Sequence, residues 1–474
     1  MRTRLMNQDY LNTGHTDAIA TAQAIQAGET TAVAVTQAAL DRIEVLDSQL
    51  NCFTTLLADE ALTTAAEVDV AIAEGRSLGP LAGVPFAVKN LLDIEGITTL
   101  AGAKIEAESS PSTQDATAVS RLKQAGAVLL GALNMDEYAY GFVTENSHYG
   151  NTHNPHDLSR VAGGSSGGSA AAIAAGLVPL TLGSDTNGSI RVPASFCGIF
   201  GLKPTYGRIS RAGAYLFAGS FDHIGPFARS VRDIAVAFDV LHGFDAADPV
   251  SSPHSATPCL PQLDKGLDGL TLAIATDHFD QRMEPVVRSG FEQVVKALGV
   301  QVTVVIPEAK RARAAAYLIT ASEGSNLHLE NLKTRPQDFD PATRDRFLAG
   351  ALIPTTWTIQ AQRFRQWYRD RLLDLFQTVD IILAPTTPCP APEIGQDMMS
   401  IDGVEVKTRP NLGLYTQPLS FVGLPILSVP VQQPGELPVG VQIIGAPYQE
   451  AKVLRVAKVL EEKGAISAAI ASLT

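Results

Sequence analysis

The sequence predicts an α/β protein organised as one large domain of 474 residues. Short apolar runs of strand length alternate with longer, helix-patterned segments along most of the chain. Gly/Ser and Gly/Pro turns punctuate these runs, and no internal repeat divides them. Hydrophobic residues make up 45% of the composition and charged residues 18%, enough apolar material for one extended core. The alternation by itself implies a largely parallel sheet.

Residues 16–48 read as two helices broken at "AGET", with Thr16 and Thr30 or Thr31 as N-caps and Gly28 closing the first. In "GPLAGVPFAVKNLLDIEG" (79–96) the run "VPFAV" lies between Gly/Pro and Lys89-Asn90, the pattern of a buried strand ending on a polar pair. "DATAVSRLKQAGAVLLGALNMDEYAYG" reads as a helix, a strand and a second helix beginning at Asp136. Residues 161–206 run from a Gly/Ser turn through an alanine helix and the strand "LVPLTLGSD" to a second turn, "TNGSIR". Residues 245–270, rich in Pro, Ser and Asp, read as a long surface connection. A strand, "LTLAIAT", and a helix over 282–298 follow, then one or two amphipathic helices over 341–376. "VDIILAPTTP", "LSFVGLPILSVPV" and "VGVQIIG" are buried strands returning to the same sheet.

The net charge is −13 and no basic block interrupts it, so nothing marks a nucleic-acid or anionic-membrane surface. The four cysteines, Cys52, Cys197, Cys259 and Cys389, are scattered without a CxxC pair and read as buried free thiols in a reducing compartment. The nine histidines show no ligand spacing, so no metal is expected. No apolar run approaches the length of a membrane span and the first residues lack a signal-type apolar core, which points to the cytoplasm.

Three elements end in a polar group where an apolar run stops or a small-residue turn begins: Lys89 after "GVPFAV", Ser165 and Ser166 in "GGSSGG", and Ser189 in "GSDTNGS". Singly, each has a plain reading. Lys89 can snorkel to water, and the last stretch can be an Asx-type turn. "GGSSG" also fits the G-x-S-x-G nucleophile elbow, which needs a strand immediately before it. The preceding "NPHDLSRVA" does not read as a strand, and that disfavours the elbow.

Taken together, these segments resemble the amidase signature family. "GGSSGGSAAAIAAGLVPLTLGSDTNGSIRVPASFCGIFGLKPTYGRIS" follows its signature almost continuously, "GVPFAVKN" lies upstream, and "GLPILSVPV" and "LPVGVQIIG" match its C-terminal sheet. The resemblance implies a single amidase domain over 1–474, with a mixed central sheet flanked by helices on both faces. Within it, 1–75 supply N-terminal helices, 76–244 the catalytic core, 245–375 a variable layer around the site, and 376–474 the strands and helix that complete the sheet. It also implies a Ser–cis-Ser–Lys triad, with Ser189 as nucleophile, Ser165 as bridging serine and Lys89 as general base. The backbone N–H groups of Thr186, Asn187, Gly188 and Ser189 match the oxyanion hole, and Ser166 and Asp185 match residues that orient the lysine and the loop. Lysine acts as a base only when neutral, so burial must lower its pKa from ~10.4 toward roughly 7–8. Many family members carry Gly-Gly before the nucleophile, whereas this chain has Asn187-Gly188.

Two groups within the family are similar to this chain. One comprises hydrolases of 1-carboxybiuret or biuret; the other is the glutaminase (A) subunit of tRNA-dependent amidotransferases. The glutaminase holds its substrate's carboxylate with an arginine and its ammonium with an aspartate. Arg346 matches the arginine, and the aspartate position falls on Gly413 in "NLGLYTQP". A site keeping the cation and losing the anion suits a carboxylated substrate without an amino group. Arg346 also reads as a solvated helix arginine. Tyr138 and Tyr215 are further candidates for substrate contact, beside His148, Tyr149 and His153, and each serves equally as a structural residue. The resemblance further implies a small-molecule amide or ureide substrate, a homo-oligomeric core and a small helical partner subunit, and the acyl-Ser189 reaction it implies calls for no cofactor.

Overall fold

A computed structural model describes residues 17–255 and 257–473. Its centre is an eleven-stranded sheet. In chain order the strands are β1 (Phe53–Leu56), β2 (Pro85–Lys89), β3 (Val128–Leu133), β4 (Leu180–Asp185), β5 (Phe200–Lys203), β6 (His223–Ala228), β7 (Leu272–Thr276), β8 (Thr303–Val305), β9 (Ile381–Pro385), β10 (Ile426–Val431) and β11 (Val439–Gly445). They lie side by side as β1-β3-β2-β4-β6-β5-β10-β11-β9-β7-β8.

The sheet is mixed, not largely parallel. β2 runs parallel to β3 and β4, and β7 to β8 and β9, while the other six ladders are antiparallel. One of the six follows from a short connection. β10 and β11 are joined by the Pro/Gly turn "QQPGELP", too short for the crossover that a parallel pair needs. Residues 245–375 supply β7 and β8 at one edge as well as helices over the site.

Both faces of β2 are buried, and its alternation sorts them. Phe86 and Val88 join one core cluster with Leu180 and Leu182, whereas Ala87 joins the other with Ala170–Ala174. The alanine-rich helix Gly167–Ala174 is tied to β4 reciprocally: Thr181 Oγ donates to Ser169 O and Ser169 Oγ to Leu182 O, each at 3.0 Å. Small side chains let this helix approach the sheet closely. Since β2 and β4 are parallel neighbours with Val88 opposite Leu182, Lys89 and Ser184 emerge at the same end of the sheet.

Thr31 caps the helix Ala32–Leu50 by accepting the Ala34 N–H, and Gly28 (φ 73°) closes the helix before it. That first helix, Ala18–Gln26, is capped by Asp17; Thr16 lies outside the described residues. The helix expected from Asp136 does not form. Tyr138 and Ala139 take left-handed φ of 49° and 59°, and the Asp136 carboxylate accepts the Thr144 N–H, turning the chain into a loop. "DLSRV" (157–161), read as non-strand, is a short strand paired with His153–Asn154 outside the main sheet. Helices Pro285–Leu298, Pro341–Ala351 and Thr355–Leu375 form where the charge and apolar patterns place them. All four cysteines are free and buried.

Candidate active site

Lys89 is fully buried at the end of β2 and donates to three hydroxyls: Ser165 Oγ at 2.7 Å, Ser184 Oγ at 2.9 Å and Ser166 Oγ at 3.0 Å. Three oxygens satisfy an ammonium's three donors. They equally serve a neutral amine, whose lone pair accepts a hydroxyl proton. Burial lowers the Lys89 pKa to about 7, against the opposing pull of Asp136, Asp222 and Asp185. Burial also raises both Asp136 and Asp222 to about 6.

The Gly164–Ser165 peptide is cis. The glycines here serve close approach. A Cβ on Gly164 would sit 2.0 Å from Asp136 Oδ2, and one on Gly168 2.7 Å from the Asn134 backbone. Ser166 accepts from Lys89 and donates to Ser184 O, linking the helix start to the end of β4.

The turn after β4 is organised by Asp185. Its carboxylate accepts Gly188 N–H at 2.8 Å and Ile190 N–H at 3.2 Å, and it forms a two-pronged pair with Arg191 at 2.9 and 3.0 Å. Arg191 then donates to Gln442 Oε1, Thr416 O and Ser420 Oγ, clamping the turn to β11 and to the helix Gln417–Ser420. Burial alone would raise Asp185; the Arg191, Lys203 and His223 charges hold it down at about 2. Because the Gly188 N–H is given to Asp185, the donors of this turn without an acceptor among the described residues are the backbone N–H groups of Thr186, Asn187 and Ser189. Asp222 braces the same turn by accepting Thr186 Oγ, and it accepts Phe217 N–H and Ala218 N–H with its other oxygen.

Ser189 lines a small, narrow cavity together with Tyr140, Phe142, Asn187, Thr320 and Arg346. Arg346 donates to Tyr140 O at 2.7 Å and lies 3.6 Å over the Tyr140 ring, with no carboxylate paired to it among the described residues. Gly413 stands nearby. A Cβ there would lie 2.6 Å from Phe142 Cζ, so Phe142 fills the space an acidic side chain would need. Through Phe142, Tyr317 and Arg346 the cavity adjoins a basin lined also by Lys310, Arg313, Lys407, Asp397 and Arg409, the last paired with Glu145. Arg313 donates only to neutral acceptors there. The mouth is thus locally cationic in a chain of net charge −13.

Tyr138 and Tyr215 lie outside the cavity lining. Both hydroxyls donate to Glu106 at 3.1 Å, and Tyr138 packs in an aromatic cluster with His328, Phe339 and Phe347. His148 meets Glu137, Tyr149 donates to Ala103 O and His153 meets Leu158 O, all within 3.1 Å. Sequence reasoning missed Tyr140, Thr320, Asp222 and Arg191. The "SIR" after the second turn was a signal for Arg191, but nothing local distinguishes Tyr140 from Tyr138. Among the described residues no cluster of His, Cys, Asp and Glu is placed to hold a metal ion, and no helix is long and apolar enough to cross a membrane.

A buried lysine bonded to a serine at a glycine-rich helix start, with a second serine on a carboxylate-held turn, fits the chemistry of amide hydrolysis. The Amidase family profile matches residues 34–454, and the chain belongs to the amidase signature family, whose members are hydrolases acting on amides. The chain is 51% identical over 445 residues to the AtzE subunit of 1-carboxybiuret hydrolase from Pseudomonas sp. (strain ADP), covering 93% of this chain and 97% of that protein. It is 39% identical over 474 residues to the glutamyl-tRNA(Gln) amidotransferase (A) subunit of Chloroflexus aurantiacus, covering 93% and 95%. A solved inhibitor-bound complex, described as a vestigial protein complex that reveals the origins of an s-triazine catabolic enzyme, superposes with TM-score 0.93 at 50% identity. It covers 97% of this chain and all of that one.

Proposed function

We propose that this amidohydrolase cleaves the terminal C–N bond of a small ureide, 1-carboxybiuret or biuret, releasing ammonia through an acyl-Ser189 intermediate. Neutral Lys89 takes the Ser165 proton as Ser165 takes that of Ser189, and Ser189 Oγ attacks the carbonyl carbon. The carbonyl oxygen becomes anionic and is held by the open N–H groups of Thr186, Asn187 and Ser189. As the tetrahedral intermediate collapses, the relayed proton goes to the departing nitrogen, which leaves as ammonia. Water then attacks the acyl-serine by the reverse relay and frees the acid.

The observation that carries the substrate reading is the cavity wall. Arg346 offers a cation without a carboxylate partner among the described residues, and Phe142 packed on Gly413 leaves no room for an anion to receive an amino group. The similarity to the 1-carboxybiuret hydrolase supports it, and the cationic mouth suits an anionic substrate. Ammonia release should be seen with 1-carboxybiuret and biuret but not with glutamine, and it should vanish in Ser189→Ala. Turnover of glutamine alone would move the chain to the amidotransferase side.

A second expectation concerns pH. Lys89 must be neutral to act as base, and its pKa lies at about 7. Between about pH 5.5 and 7, kcat/KM should therefore rise roughly fifteenfold in all, approaching tenfold per unit only at the acid end and levelling above neutrality. A flat profile over that range would remove Lys89 from the role of base.

We also assign 76–244 as the catalytic core, 1–75 and 376–474 as the segments that complete the domain, and 245–375 as the layer shaping the cavity. A homo-oligomeric assembly with a small helical subunit rests on the family resemblance and on the complex described for the superposed structure. A cytoplasmic location rests on the four free thiols.

A further inference from the structure

Asn187, beside the nucleophile, is buried and lines the inner cavity. One contact orients its side-chain amide: Nδ2 donates to Thr320 Oγ at 3.2 Å. The Thr320 hydroxyl proton is already given to Ala316 O at 2.9 Å, one turn earlier on the helix Ala309–Leu327. Only lone pairs remain on Thr320 Oγ, so the Asn187 nitrogen must face it and the amide oxygen must face elsewhere. That oxygen, Asn187 Oδ1, is buried and has no hydrogen-bond partner among the described residues. Tyr140 Oη, from another residue lining the cavity, is buried and unpartnered too; Tyr317 and Arg346 flank it without a hydrogen bond of ordinary geometry. Buried polar atoms are ordinarily satisfied. Two orphans from residues that share one small cavity with Ser189 mark the places where a ligand supplies the missing partners.

We propose that Asn187 Oδ1 accepts a hydrogen bond from an N–H on the acyl side of the scissile carbonyl, and thereby selects ureides over carbon-chain amides. This rests on the ureide reading above and sharpens it. Every primary amide has N–H on its leaving nitrogen, so that group discriminates nothing. Only in a ureide is the atom on the other side of the carbonyl a nitrogen bearing hydrogen; in a carboxamide it is a CH2 that leaves the acceptor bare. A site built to pair such a group discriminates against the analogue lacking it, because its own buried atom is then left unpaired. The Tyr140 hydroxyl, which can donate, is placed to meet a substrate oxygen beside Arg346.

Biuret and malonamide test this directly, since they differ only by N–H in place of CH2. Their binding to the Ser189→Ala protein, followed by ligand-observed NMR titration, should favour biuret by about 10- to 100-fold. Adding Asn187→Gly, the residue many family members carry here, should bring the two affinities within about threefold. Adding Thr320→Val instead should narrow the preference without touching the turn, so the test survives if the glycine variant fails to fold. A preference that persists in both variants overturns the proposal, as does the absence of any preference in the Ser189→Ala protein. If the preference is present and Asn187-dependent while neither ureide yields ammonia with the wild-type enzyme, the ureide reading fails and the Asn187 assignment stands.

Discussion

Lys89→Met is expected to lower kcat/KM by about 10⁴-fold, the upper range for loss of a general base, without unfolding the protein. The side chain is fully buried, and methionine fills a similar volume without the amine. The sign of the stability effect follows from linkage. Burial depresses the folded-state pKa to about 7, against an unfolded value of ~10.4. Between those values the unfolded chain binds more protons, so wild-type stability rises with pH across that window and carries the full penalty below pH 7. Three units of depression correspond to about 4 kcal/mol. Loss of the donors to Ser165, Ser166 and Ser184 offsets part of it. The methionine variant should therefore melt at or above the wild-type temperature at pH 6 and lose the rise in stability between pH 7 and 10. Ammonia release, with thermal melts at pH 6, 7 and 10, checks this. Activity within tenfold of wild type would exclude Lys89 as the base, and a fall in melting temperature at pH 6 would make its role structural.

Arg191→Leu should cost about 3–5 kcal/mol by denaturant unfolding, the largest stability effect expected of any single change at the site. Arg191 is wholly buried and meets the Asp185 carboxylate in a two-pronged pair while holding Gln442 and Ser420. Leucine leaves the carboxylate buried without its counter-charge. The pair contributes stability above the unfolded carboxyl pKa, ~3.9, and that contribution is lost as pH falls toward about 2, the folded-state value. In the variant Asp185 is pushed up instead, and it can protonate, so the deficit should shrink as the pH is lowered from 7 to 5. Adding Asp185→Asn should recover part of the lost stability, because the stranded charge is gone. Activity should not return, since the turn bearing Ser189 would still lack its anchor to β11. If the single variant unfolds within 1 kcal/mol of wild type, the pair is not what holds the turn.

The candidate site was legible wherever its residues declare themselves locally. Lys89 stands at the end of a strand-length apolar run, Ser165 in a glycine-dense turn before an alanine helix, and Ser189 in a second small-residue turn. Those patterns depend on backbone preference and strand alternation, which neighbours in sequence set. They sufficed for the α/β class, most of its elements and the family. Other features depended on partners far along the chain. The antiparallel ladders other than the β10–β11 hairpin arose from how separated strands were brought together. Asp136 turned its segment into a loop by accepting the Thr144 N–H where propensity favoured a helix. Gly188 gave its N–H to Asp185, and Tyr140, two residues from Tyr138, took the cavity wall because Arg346 from the helix Pro341–Ala351 packs over it. The sequence by itself determined which groups could do chemistry and what backbone would carry them. Only the tertiary structure decided which were buried, paired or left open, because desolvation and hydrogen-bond partnership belong to the packed neighbours and not to the residue alone.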